Sequence, residues 1–470
     1  MIEEEKSQAS VRSGNQGGTM QGDTFSKVDE IIFSFIFPLY EQKKRQTTYV
    51  YRIIMIIWEI IQMFALSLYS VDEGTNEVDR ISKVVGYLDG SQLSLILGKF
   101  MPYLNIVIFG LELAMIILIV VCCFFLRYIL ANQPWLLTFL RAYIEVKQRM
   151  LYIWITNINI SSFDCYIDED GLSHWRADND ILCFKSDILQ IIGSVIAIIN
   201  LIIFFAMSVI LNVSIYNHNP KNGGLLSCPN GSFACLQNVL LFIIIFVMRI
   251  FYRWPFWRFL LSVGISVIII LYIVIVQPYY SFMSNFLSTL QWSIFESLRL
   301  CMEIGYIFET SMNSIIPTII FIFIGIVLAS AIFTSNYFMI KRRRRKLFFM
   351  KNGQPYINLR SQDWKVHSLP KIKDPNTVEP SVRFLQQKHN RTPEMYNYVD
   401  YIYTTAIKRH KQNAYLYFMY ANFLCYYKKN FIKANSVYRQ ARISNPSFIL
   451  RFVLYCKTKE EGRIGSESGS

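Results

Sequence analysis

A chain of 470 residues that is 53% hydrophobic and 16% aromatic is far more apolar than a soluble protein of that length needs to be, so an ordinary soluble protein is excluded. Its formal net charge of +14 would suit nucleic acid, but the cations gather at the edges of apolar segments and in the C-terminal region, without a nucleic-acid-binding motif. The composition is that of an integral membrane protein whose basic residues meet the membrane surface.

Residues 1–28 are acidic and then Gly-, Ser- and Gln-rich, lack the basic and apolar regions of a signal peptide, and read as a disordered cytosolic tail. Asp29 to Tyr40 is too short to span and contains Pro38, which predicts an interfacial segment. Thr48 to Ser70 is the first convincing span, and the cations before it place its start inside. It carries Glu59 at membrane depth, beside Trp58 and Gln62. The loop from Val71 to Lys99 has turn-forming glycines and reads as external. A second span, from about Met101 to Leu126, carries Glu112 near its middle, with Cys122 and Cys123 as packing residues. Carboxylates in lipid cost a few kcal/mol and face protein or water, so Glu59 and Glu112 are expected to share the bundle interior.

Pro134 to Asn159 is ambiguous: Arg141, Glu145, Lys147 and Arg149 interrupt its helical pattern before it turns apolar. It fits either a cytosolic amphipathic helix or a long helix that crosses in its second half and delivers Cys165 outside. The acidic loop that follows, bracketed by Cys165 and Cys183, lacks the alternation and terminal Glu of a calcium loop and reads as solvated. Asp187 to Tyr216 is a strong span with Asn200 inside it. Next comes a turn-rich loop with Cys228, Cys235 and the glycosylation sequon at Asn230, which taken alone looks extracellular. Asn238 to Tyr252 and Phe259 to Val276 form a helical hairpin around an RWPFWR turn. Phe286 to Phe308 is the most polar membrane helix, with Glu296, Arg299 and Glu303 at i, i+3 and i+7 along one face. The last span, from Ile315, ends in six consecutive cations, Lys341, Arg342, Arg343, Arg344, Arg345 and Lys346, which place the remaining chain in the cytosol and can hold anionic lipid head groups.

Two topologies follow. If Pro134 to Ser162 crosses, there are eight spans with both termini cytosolic, but Arg249, Arg253 and Arg258 then sit at the wrong end. If neither it nor Phe286 to Phe308 crosses, six spans satisfy the positive-inside rule and put Asn230 outside. Cys165 with Cys183 and Cys228 with Cys235 are candidate disulfides wherever their loops face an oxidising compartment.

Residues 347–380 form a polar, proline-containing linker, and 381–457 show helix-pair periodicity. Tyr403 and Ala406 recur as Tyr438 and Ala441, 35 residues on, the period of tetratricopeptide-like hairpins. Only about two such units fit, so the array either continues in a longer chain or packs on the membrane part. Residues 458–470 read as a flexible tail or the start of a linker to further domains. The expected fold is therefore all-α: a polytopic membrane helix bundle over residues 29–346, followed by a cytosolic helical-repeat region.

The C-terminal pattern (FLQ at Phe384 to Gln386, IYTTAI, YANFLCYYKKNFIKANSVYRQA) resembles the repeat region of the TmcB-like (tiny macrocysts) multi-pass membrane proteins of protists. The membrane half is similar too, through WEIIQ from Trp58 to Gln62, ITNINISSFDC ending at Cys165, and PYY from Pro278. The resemblance implies a large multi-pass protein with cytosolic regulatory modules, sometimes of sensory type; it supplies no catalytic site and favours eight spans, and no cofactor is expected. A plasma or ciliary membrane is the expected location.

Two functions fit. In the first, an ion channel or sensory receptor, Glu59, Glu112, Glu296 and Glu303 line a cation-attracting interior with Arg299 as a local lock, and the helical repeats relay the state. In the second, a non-conducting scaffold recruits cytosolic or membrane protein partners through its repeats, with Tyr415, Tyr417, Phe418, Tyr420 and Phe423 as the candidate surface. An enzyme is not expected, because no nucleophile elbow, zinc motif or phosphate-binding loop is present. Homo-oligomerisation is left open, and no metal site is expected.

Overall fold

The computed structural model describes residues 27–41, 49–68, 77–122, 134–168, 171–185, 187–214, 216, 219–221, 224–229, 231–251, 254–307, 315–348, 350–351, 354–355 and 374–467. The chain is all-α in class. In order, its main helices are α1 (Lys27–Glu41), α2 (Tyr49–Ser67), α3 (Glu77–Asp89), α4 (Leu93–Leu97), α5 (Met101–Val120), α6 (Pro134–Arg149) and α7 (Tyr152–Ser161). A small antiparallel sheet follows, β1 (Cys165–Ile167), β2 (Ser173–Trp175) and β3 (Asp178–Leu182), in that strand order. Then come α8 (Ile188–Ser214), α9 (Ser232–Ile250), α10 (Pro255–Val276), α11 (Phe282–Ile307) and α12 (Ile315–Phe348). The C-terminal helices are α13 (Val378–Val382), α14 (Pro393–Arg409), α15 (Ala414–Phe423), α16 (Phe431–Ile443) and α17 (Phe448–Glu467).

Among the described residues, five helical segments are long and apolar enough to cross a membrane: Val50–Ser67, Leu93–Val120, Ile188–Val213, Ser232–Ile250 and Phe256–Val276. This agrees with an integral membrane protein. Their outward faces are apolar and exposed, as at Ile188, Ile202, Leu271 and Ile275. Close helix approaches rest on glycine. A Cβ on Gly193 of α8 would lie 2.6 Å from the Cβ of Pro102 on α5, and one on Gly325 of α12 would lie 3.0 Å from the Cα of Ile294 on α11.

At the centre stands α7, of which every residue but Trp154 is buried. It continues the direction of the sequence from α6 after a turn at Met150 and Leu151. The indole Nε1 of Trp58 donates to the Met150 carbonyl there, at 3.1 Å. The helix containing the basic run does not stop at Lys341 but continues to Phe348.

The C-terminal helices pack on one end of the bundle. The repeated pair is buried in both copies: Tyr403 and Ala406 on α14, Tyr438 and Ala441 on α16. Tyr403 stacks on Tyr420 and Phe423, with ring centroids 5.5 and 5.8 Å apart. The segment expected at the membrane interface, α1, lies against α17. Phe33 sits among Phe448, Phe452 and Tyr455, and Arg451 pairs with Asp29.

Candidate functional site

Many of the buried polar residues of the membrane-length helices converge on α6 and α7. Lys147 and Arg149 are two positions apart, which turns them to opposite sides of α6. Each finds a carboxylate from another helix. Lys147 is buried against Glu112 of α5 in a close ion pair, with the Phe204 ring 5.1 Å from its ammonium. Arg149 donates to Glu59 of α2 at 3.3 Å. Glu59 also accepts from the amide of Gln237 on α9 and, at 3.3 Å, from that of Gln291 on α11, so four helices meet at one carboxylate.

Between those cations, Gln148 accepts through Oε1 from Ser208 at 2.6 Å and from Asn238 at 3.1 Å. Further along, the Asn200 amide donates to Asn159 Oδ1 at 3.0 Å, Asn157 donates to the Asp89 carbonyl at 2.8 Å, and Tyr152 Oη donates to the Asn238 carbonyl at 2.7 Å. Thr156 and Asn159 return hydrogen bonds to carbonyls one turn back on α7 itself. The result is a hydrogen-bonded polar seam that ties α2, α5, α8, α9 and α11 to one central strut.

At one end, the seam is closed by the sheet. Cys165 and Cys183 are joined by a disulfide, the Trp175 indole donates to the Ser161 carbonyl at 3.0 Å, and Asp164 accepts from Arg176 and Arg249, each at 3.2 Å. Asp89, also at this end, is fully buried; burial pushes its carboxyl up to about 6, against the backbone and hydroxyl of Ser91 and the charge of Arg249.

At the other end dock the C-terminal helices. Arg383 is held by Glu379, a turn earlier, and donates to the carbonyls of Gln277 at 2.8 Å and Tyr279 at 2.7 Å, just past the end of α10. Gln277 is left-handed, with φ 52°, so the chain leaves α10 with its last carbonyls turned outward to meet the guanidinium.

The expected site residues fall out unevenly. Glu59 and Glu112 do lie in the interior, but each faces its own cation on opposite sides of α6. Glu296, its carboxylate oxygens buried, lies near Ser266 and Arg299, away from the Glu59 and Glu112 pairs. Arg299 is buried and donates to the Ser67 carbonyl at 3.4 Å. Glu303 is on α11 and Lys341 to Lys346 are on α12, with side chains outside the described residues, as is Asn230. The second disulfide expected from the sequence is not formed: Cys228 and Cys235 are both free thiols. The start of α9 at Ser232 carries Cys235 onto a helix face, while Cys228 stays in the loop, and burial pushes that thiol up to about 12. The candidate aromatic surface is largely core, since Phe418, Tyr420 and Phe423 are buried. Among the described residues, no three His, Cys, Asp or Glu side chains converge as a metal-binding set.

Sequence reasoning missed Gln148, Asn157, Asn159, Gln237 and Gln291 as members of the seam. The signal that could have found the ion pairs was present: two carboxylates at membrane depth need cationic or amide partners, and the unassigned α6 segment held the cations. Comparisons with protein-family models, curated proteins and solved structures return no match.

Proposed function

We propose that this chain is a multi-pass membrane signalling protein, of receptor or channel type, whose bundle transmits its state to tetratricopeptide-like helices docked on its cytosolic end. The observation that carries the reading is the Arg383 contact, which joins that helical region to the end of α10 through two backbone carbonyls. Eight crossings fit, with α6 and α7 as one broken span sheathed by the others. The disulfide end then faces the oxidising side, and both termini are cytosolic. Arg249, an obstacle on charge counting, supports this orientation because it is buried against Asp164 and is not an exposed topogenic cation. The exposed Trp254, Phe256 and Trp257 at the α9–α10 turn suit the membrane interface on that same side. The resemblance to TmcB-like proteins belongs to the same proposal.

The orientation puts the Asn230 sequon in the cytosol, so glycosidase treatment of protein from eukaryotic membranes should leave its mobility unchanged, and a shift would refute it. The relay is tested by recording the full chain in planar bilayers under voltage and tension, while hydrogen exchange follows residues 378–386. Arg383→Ala should expose that segment and abolish or lock the output; wild-type output from an undocked variant would sink the relay. The second reading, a non-conducting scaffold, draws on Glu59 and Glu112 being engaged in ion pairs. Absence of current under every stimulus, with cytosolic partners still retained by the full chain, would decide for it.

A further inference from the structure

The end of the bundle that carries the C-terminal helices also contains a cavity of about 60 Å³. A single water needs roughly 10–15 Å³ measured this way, so the space suits a small cluster of waters or one tetrahedral group. Three guanidinium groups line it, from Arg52 on α2 and Arg141 and Arg149 on α6, against one lining carboxylate, Glu145. Arg141 leans on Glu145 at 3.7 Å, and Arg149 holds Glu59 on its other side. Counting both carboxylates, the surroundings are still cationic.

Two uncharged groups at the cavity, on Gln148 and Tyr51, are donors without an acceptor. Gln148 is 5% exposed; its Oε1 is fixed by Ser208 and Asn238, which commits Nε2, buried and without a partner, to the cavity side. The Tyr51 hydroxyl is buried there without a partner as well. Arg52 is held in place from above: Gly224, with φ 79°, lets the loop close so tightly that a Cβ would fall 2.6 Å from Nη1. A pocket of preset donors with excess positive charge is complementary to an oxyanion, and guanidinium forks favour tetrahedral phosphate.

We propose that this cavity is a binding site for a phosphate group, supplied either by a phospholipid head group or by a free phosphate ester. The recognition chemistry does not depend on the topology proposed above; only the leaflet of a lipid donor does. An anion here would touch α2 and α6 beside the Arg149–Glu59 pair, where the seam begins.

The test uses the full chain in nanodiscs. Thermal unfolding is followed in neutral phosphatidylcholine with and without inorganic phosphate, and in discs containing phosphatidic acid. Stabilisation by inorganic phosphate assigns a soluble source, and stabilisation by phosphatidic acid alone assigns a lipid source. All arms are run with Lys341 to Lys346 replaced by Gln, so that the basic run does not contribute. Arg52→Gln should weaken binding at least about tenfold, on the order of one charge-assisted hydrogen bond. If that variant does not fold, Tyr51→Phe removes one hydroxyl only and should weaken binding several-fold. No stabilisation by either phosphate source, or wild-type affinity in a folded variant, overturns the proposal. Unglycosylated Asn230 alongside that result would leave the topology standing and remove the anion site alone.

Discussion

The membrane-length bundle and the C-terminal helices solve the same packing problem with opposite materials. In the C-terminal region, Tyr403, Phe418, Tyr438 and Val453 fill the centre while Lys411, Lys429 and Arg439 face outward. In the bundle, Ile202, Leu271 and Ile275 face outward, and the most central helix carries Thr156, Asn157, Asn159 and Ser161. In water, burying apolar area drives association; among helices whose surroundings are as apolar as their side chains, it does not, and polar contacts and close backbone approach take its place. The polar interior of the bundle is thus its cohesive element. The largest test of that contrast is Lys147→Met, which strands Glu112 without its cation and should cost about 3–5 kcal/mol, read as a lower unfolding temperature in nanodiscs. Adding Glu112→Leu should recover most of the loss; no recovery would mean that the seam acts by something other than paired charge.

Asp89 probes the disulfide end. Its carboxyl is raised, so the protonated form is the one the fold accepts: its contribution is complete below the ordinary carboxylate range and is lost as pH rises through about 6. Asp89→Asn should therefore flatten the stability profile across that window and raise stability at pH 8 by about 3 kcal/mol. A profile unchanged by the substitution would mean that the group is solvated.

At the junction of the two regions, Arg383→Ala should cost about 2 kcal/mol locally, visible as hydrogen exchange at residues 378–386 without change in the bundle. Within the C-terminal core, Tyr438→Phe removes the 2.8 Å bond to Asn422 and should cost about 1 kcal/mol. The smallest effect is expected at Asp400. Burial pushes its carboxyl up, but the Tyr420 hydroxyl and the ammonium groups of Lys428 and Lys433 outweigh it and hold it below the ordinary range. That stabilisation is present above the ordinary carboxylate range and fades as pH falls through the depressed value, so Asp400→Asn should remove a modest acid-side slope.

Apolar runs made the bundle's outer helices legible in sequence, because lipid-length hydrophobicity is a local property. The 35-residue recurrence of Tyr403 and Ala406 at Tyr438 and Ala441 likewise marked buried positions on alternate helices. The α6–α7 strut was not legible, since the partners that make Lys147 and Arg149 tolerable, Glu112 and Glu59, lie far away in the chain. Without those pairings, the same residues read equally well as the polar face of a cytosolic helix. The Cys228–Cys235 pairing failed for a related reason: a short separation says nothing about the helix start that sends the two thiols different ways.

The clamp between α1 and α17 has a temporal consequence. Arg451 and Asp29 are 422 residues apart along the chain, so α1 leaves the ribosome long before its partner is made. Until then, Phe33 and its neighbours present an uncovered aromatic face, of the kind chaperones and proteases recognise. Closure of that clamp waits on synthesis of every helix between its two halves, which makes it a built-in signal that the intervening bundle has been made.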